Sequence, residues 1–157
     1  GFFKFSIPND IEVMTTVADE FNTSFVDYSF VAFGGALGAS FRFFLSTVLQ
    51  NQKYLNFLGL PVFPTSTLMV NILGSLIVGC FYFFFSKGIL GNESIRLFVV
   101  IGFLGSFTTF STFSLETFVL LKQGDLSTAV TYTCLSIFVC VLSTFLAFNT
   151  MRIFFGP

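Results

Sequence analysis

Four stretches of this chain, Phe30–Leu49, Thr67–Phe85, Leu97–Leu121 and Ala129–Ile153, are each long and apolar enough to cross a bilayer, which needs roughly 20 mostly apolar residues. Of 157 residues, 54% are hydrophobic and 10% charged, whereas a soluble domain carries about 25% charged residues. Mean hydropathy is +0.89. Lipid offers no partner to a backbone N–H or C=O, so segments of this kind must be helical. The expected fold is an all-α, multi-pass bundle of four transmembrane helices in the lipid bilayer.

Composition limits the chemistry. There is no histidine, and Cys80, Cys134 and Cys140 all fall inside predicted helices, which leaves no thiol and imidazole cluster for zinc and no extracellular disulfide framework. Without histidine no nucleophile and base pair can be assembled, and Glu116 is the single carboxylate within a span. An enzyme is not expected, and neither is a nucleic-acid partner. Five of the eight acids, Asp10, Glu12, Asp19, Glu20 and Asp27, precede the first span. Residues 1–28 therefore read as an acidic N-terminal extension before a membrane domain over 29–153. Within it Ile11, Met14, Ala18 and Phe21 recur at helical spacing after the candidate cap Asn9, as in a short helix at the membrane surface. A tail without such a helix is an equal reading.

Short connections normally carry excess Lys/Arg on the cytoplasmic side. Here Lys87, Arg96 and Arg152 lie on the side of the termini and Lys53 and Lys122 on the other. So small a bias lets a chain insert both ways, which predicts an antiparallel, dual-topology homodimer about a two-fold axis in the membrane plane, the subunit-level analogue of an inverted repeat.

The helix faces narrow the reading. Gly34/Gly38 and Gly35/Ala39 in the first span are small residues four apart, a pattern that lets backbones approach closely. Arg42 follows, either snorkelling to the interface or lending positive charge to an aqueous vestibule. Thr67, Asn71, Ser75 and Gly79 share one stripe of the second span; Thr128, Tyr132, Ser136 and Cys140 share one of the fourth, a rail roughly 18 Å long at 1.5 Å per residue. Serine and threonine can instead bond back to their own helix, but the Asn71 amide must find partners within the membrane.

In the third span Gly102 to Glu116 (GFLGSFTTFSTFSLE) holds six Ser/Thr hydroxyls and four phenylalanines. Adjacent poor helix formers predict a break near Gly105–Thr109. Unwinding frees carbonyls, which suit a hard cation such as Na⁺. Beyond the break Phe110 and Phe113 share a face beside Ser111, Thr112 and Ser114, and an aromatic ring has a positive edge that can meet a small anion. Hydroxyls, an amide, ring edges and one arginine are what an anion requires. A narrow row of donors would favour a small, densely charged anion such as fluoride.

At these residues the chain resembles the Fluc/CrcB fluoride channels. The match spans about Phe33 to Arg152 and is carried by GGALGASFRF (Gly34–Phe43), FPTSTLMVNILGSLIVG (Phe63–Gly79), GFLGSFTTFSTFSLE (Gly102–Glu116) and YTCLS (Tyr132–Ser136). The resemblance implies a passive fluoride channel of the bacterial inner membrane that limits toxicity, an antiparallel homodimer with two pores, and a structural Na⁺ as cofactor. Residue by residue, it implies that Phe110 and Phe113 face fluoride and that Asn71 is the pore amide. Ser111, Thr112, Tyr132 and Ser136 would belong to polar tracks with Glu116 near the same path. Arg42 and Thr67 would belong to the vestibule, and Gly105 and Thr108 would offer backbone carbonyls to Na⁺. Cys140 departs from the hydroxyl that the rail would suit there. The competing class, a proton-coupled exporter of the small multidrug resistance kind, needs a carboxylate in its first helix, where this chain has Arg42.

Overall fold

The computed structural model describes residues 25–50 and 63–156. The surface helix read at Ile11–Phe21, and Lys53 in the first connection, lie outside the described residues. Among the described residues every regular element is helical. α1 (Phe25–Leu49) and α2 (Thr65–Ser86) are followed by α3 (Glu93–Ile95), which runs directly into a π-helix (Arg96–Leu104) and a last turn, α4 (Gly105–Phe107). α5 (Phe110–Lys122) and α6 (Leu126–Phe155) complete the chain. Four candidate spans result, Phe25–Leu49, Thr65–Ser86, Glu93–Lys122 and Leu126–Phe155, and each contains one of the windows read from the sequence. α1 begins at Phe25, so the last residues assigned to the extension, Phe25–Tyr28, are helical.

Local chemistry sets the helix ends. The Asn92 side chain accepts the Ser94 N–H at 2.9 Å, and Asp125 Oδ1 accepts the Thr128 N–H at 3.0 Å, each meeting a donor that a helix N-terminus leaves unpaired. α5 stops at a left-handed glycine. Gly124 has φ +81°, its N–H donates to Leu121 O, and the Asp125 N–H donates to Leu120 O. That paired closure reverses the chain within three residues, and its positive φ suits glycine, which has no Cβ to clash.

Two close pairings organise the bundle. α1 lies along the π-helical segment, and its buried Gly34 and Gly38 allow the approach: a methyl on Gly34 would overlap the carbonyl oxygen of Phe98, and one on Gly38 that of Phe103. The packing expected of that glycine face is what forms. α2 lies along α6, where a methyl on Gly79 would overlap Thr144 O and where Thr144 Oγ1 donates to Ser75 O at 3.0 Å. Val70, Phe83, Phe107 and Tyr132 are fully buried, while Phe43, Phe138 and Ile153 stand on outer faces. Outward apolar side chains are what lipid requires of a spanning helix.

Candidate ion pathway

The third span is interrupted where its two threonines adjoin. Phe107 is the last helical residue, Thr108 (φ −76°, ψ 155°) and Thr109 (φ −146°, ψ 112°) are extended, and the helix resumes at Phe110. Thr108 closes the first half, its N–H and its hydroxyl both donating to Leu104 O at 3.0 and 2.9 Å. Thr109 opens the second half, its Oγ1 accepting the Thr112 N–H at 3.2 Å.

Asn71 of α2 brackets the break. Its Nδ2 donates to Thr109 O at 3.2 Å, and its Oδ1 accepts the Thr109 N–H at 2.8 Å. One side-chain amide thus matches both backbone groups of a single extended residue, as a neighbouring strand would. In an unbroken helix the Thr109 N–H would go to Gly105 O and the Thr112 N–H to Thr108 O. Here the first goes to the Asn71 amide and the second to the Thr109 hydroxyl. Both carbonyls that the family resemblance puts forward for Na⁺, those of Gly105 and Thr108, therefore lose their i+4 donors, which fits oxygen ligation of a hard cation. The close approach again needs a glycine, since a methyl on Gly74 would overlap the Thr108 methyl.

A cleft of about 540 Å³ opens beside the break. Asn71, Gly74 and Ser75 of α2 form one wall; Leu104, Gly105, Thr108 and Thr109 line the break; Phe110 and Phe113 follow; Ser136 and Cys140 of α6 face them. The Phe110 and Phe113 ring centroids are 5.4 Å apart, yet the rings differ sharply in exposure, 78% against 8%. Phe113 also packs on Tyr132, centroid to centroid 5.3 Å.

Below the rings, three helices converge on one carboxylate. Thr67 Oγ1 donates to Glu116 Oε1 at 2.8 Å, and the Tyr132 hydroxyl donates to Oε2 at 2.7 Å. These are charge-assisted bonds when Glu116 is ionised, among the stronger kinds available. One turn along α6 from Tyr132, Ser136 Oγ is fully buried beside the Tyr132 hydroxyl, with no partner at full hydrogen-bond geometry.

The structure thus gathers Asn71, Phe110, Phe113, Ser136, Gly105 and Thr108 at one cleft and Thr67, Glu116 and Tyr132 in one cluster. Ser111 and Thr112 bond the Thr109 hydroxyl, at 3.3 and 3.0 Å. Arg42 is half-buried on α1 and makes no hydrogen bond or ion pair among the described residues, while Thr67, grouped with it by the family resemblance, bonds Glu116. Two residues escaped the sequence reading. Thr109 was visible only as a neighbour of Thr108, although a threonine three residues before Thr112 carries the spacing of a helix cap; Gly74 carried no local signal. Among the described residues no three His, Cys, Asp or Glu side chains gather as a metal site.

The family model described as CrcB-like protein, Camphor Resistance (CrcB), matches residues 29–148. A protein of Magnetococcus marinus named fluoride-specific ion channel FluC is 42% identical over 125 residues, covering 80% of this chain and 97% of the relative. Proteins of the same name from Pseudoalteromonas translucida and Thermus thermophilus are 40% and 41% identical, over 74% and 78% of this chain and 92% of each relative. With four candidate spans and matches of that extent, the chain is a multi-pass membrane protein and belongs to the CrcB-like family.

Proposed function

We propose that the chain is a passive, fluoride-selective ion channel, not an enzyme, that lets fluoride leave the cytoplasm across a bacterial inner membrane. The observation that carries the reading is the interrupted third span, held open by Asn71 beside a cleft with two phenylalanine rings and a buried serine whose hydroxyl is not fully bonded. The names of the relatives point the same way. An anion entering the cleft must replace its water shell, and this wall offers Ser136 Oγ–H, the remaining Asn71 N–H and ring edges. Fluoride is the halide that gains most from such donors.

The channel works as an antiparallel homodimer. The nearly balanced Lys/Arg count of the two sides, which lets a chain insert both ways, supports this. A structural Na⁺ takes the carbonyls of Gly105 and Thr108, the two that lose their i+4 donors. Arg42 contributes positive charge at the vestibule.

Reconstitution into fluoride-loaded liposomes tests the proposal. Passive, electrogenic fluoride efflux without chloride efflux is expected; strict proton coupling, or no flux, would refute it. Labelling a single introduced loop cysteine from each side tests the orientation, and labelling from one side only would reject dual topology.

A further inference from the structure

Ser136 and Cys140 stand one turn apart on α6, roughly 6 Å along the axis at 1.5 Å per residue, and both line the cleft. The serine is 7% exposed, and apart from its interaction with the Tyr132 hydroxyl its Oγ has no partner at full hydrogen-bond geometry, so its bonding capacity is not filled. Buried polar atoms in native structures are nearly always satisfied, so one left short on a cleft wall marks a place where something else supplies the partner. Cys140 is only partly buried beside it, and its sulfur is not in a disulfide. Opposite are Asn71 and Ser75, and the intervening space of about 540 Å³ is many times the roughly 30 Å³ that one water occupies in the liquid.

We propose that this wall is a thiol-addressable point on the conduction path: a small disulfide-forming electrophile attaches to Cys140, and its adduct projects into the cleft beside Ser136 and obstructs ion flow. The inference rests on the reading of the cleft as the path. A methanethiosulfonate is such an electrophile. The Cys140 proton leaves to water, the thiolate attacks the sulfenyl sulfur, the mixed disulfide forms, and methanesulfinate departs with the electron pair of the broken S–S bond. The thiolate is the reacting form. Cys80 is partly buried and Cys134 is exposed, and neither lines the cleft, so they serve as internal controls.

The experiment uses the full chain in liposomes, treated with methanethiosulfonate ethylammonium, with fluoride efflux and peptide mass mapping read on the same sample. In a chain carrying Cys80→Ala and Cys134→Ala, Cys140 should gain one adduct and efflux should be lost, and dithiothreitol should reverse both. Cys140→Ser, compared with its own untreated efflux, should show no loss when the reagent is added. An adduct at Cys140 with efflux unchanged, no adduct at Cys140 in a conducting chain, or a block that persists in Cys140→Ser would overturn the inference while leaving the channel reading intact. Liposomes silent before any reagent would overturn the channel reading and this inference with it.

Discussion

Replacing Asn71 with leucine keeps most of the side-chain volume and removes both hydrogen bonds to Thr109. A lower bound on the cost comes from interhelical hydrogen bonds in membranes, which average about 0.6 kcal/mol, so two give about 1.2 kcal/mol. An upper bound comes from leaving two buried backbone groups unpaired, at about 1–3 kcal/mol each. Thr109 is a buried residue, but its cleft is roomy enough for water to reach part of it. We expect about 2 kcal/mol, roughly thirtyfold in the folding equilibrium at 1.4 kcal/mol per tenfold. Unfolding by SDS in mixed micelles reads the stability, and hydrogen exchange of the peptide spanning Gly105–Phe113 reads the break. In the variant the freed Thr109 N–H can turn back to Gly105 O, so any stabilisation by Na⁺ over K⁺ should shrink as well. An unchanged SDS midpoint together with unchanged exchange would show that the break is held by something other than this amide.

Three further outcomes are expected. Phe110→Ile and Phe113→Ile should each abolish fluoride efflux, but only Phe113→Ile should also lower stability, by about 1–3 kcal/mol, because Phe113 is buried against Tyr132 and Leu120; wild-type efflux in both would reduce these rings to packing. Gly38→Leu should cost about 3–5 kcal/mol and scatter the size-exclusion profile, since its side chain meets the backbone carbonyl of Phe103 and not a movable group. Hydrogen bonds from the Thr128 side chain, and then from its N–H, hold the Asp125 carboxyl below the usual carboxylate value. A depressed carboxyl stabilises the fold above the unfolded value of about 3.9 and loses that contribution as pH falls through the folded value. The first turn of α6 should accordingly exchange faster in acid, and Asp125→Ala should remove that dependence.

Much of this architecture could be read in the residues because membrane burial writes long signals. Twenty apolar residues in a row are hard to mistake, and each predicted window lies inside an observed span. Gly34 and Gly38 announced a close helix contact through size alone, though not which carbonyls they would meet. The break between Gly105 and Thr109 was legible as a run of poor helix formers, but its exact place depends on a partner 38 positions away, the Asn71 amide, which no local propensity encodes. The stripes were legible only in part. On α2 Asn71 and Ser75 reach the cleft while Gly79 turns to α6, and on α6 Ser136 and Cys140 reach it while the Thr128 N–H is taken by the Asp125 cap. Periodicity gives a face and leaves its neighbour unspecified.

The wide coil from Arg96 to Leu104 carries a consequence for how the channel half is aimed. An i→i+5 segment winds more residues into each turn than an α-helix, so the faces that follow Leu104 are turned from those an unbroken α-helical wheel would give. Thr108 and Thr109 consequently emerge on a bearing that no heptad drawn from Leu97 would assign them. The pitch upstream is thus what orients the interruption downstream.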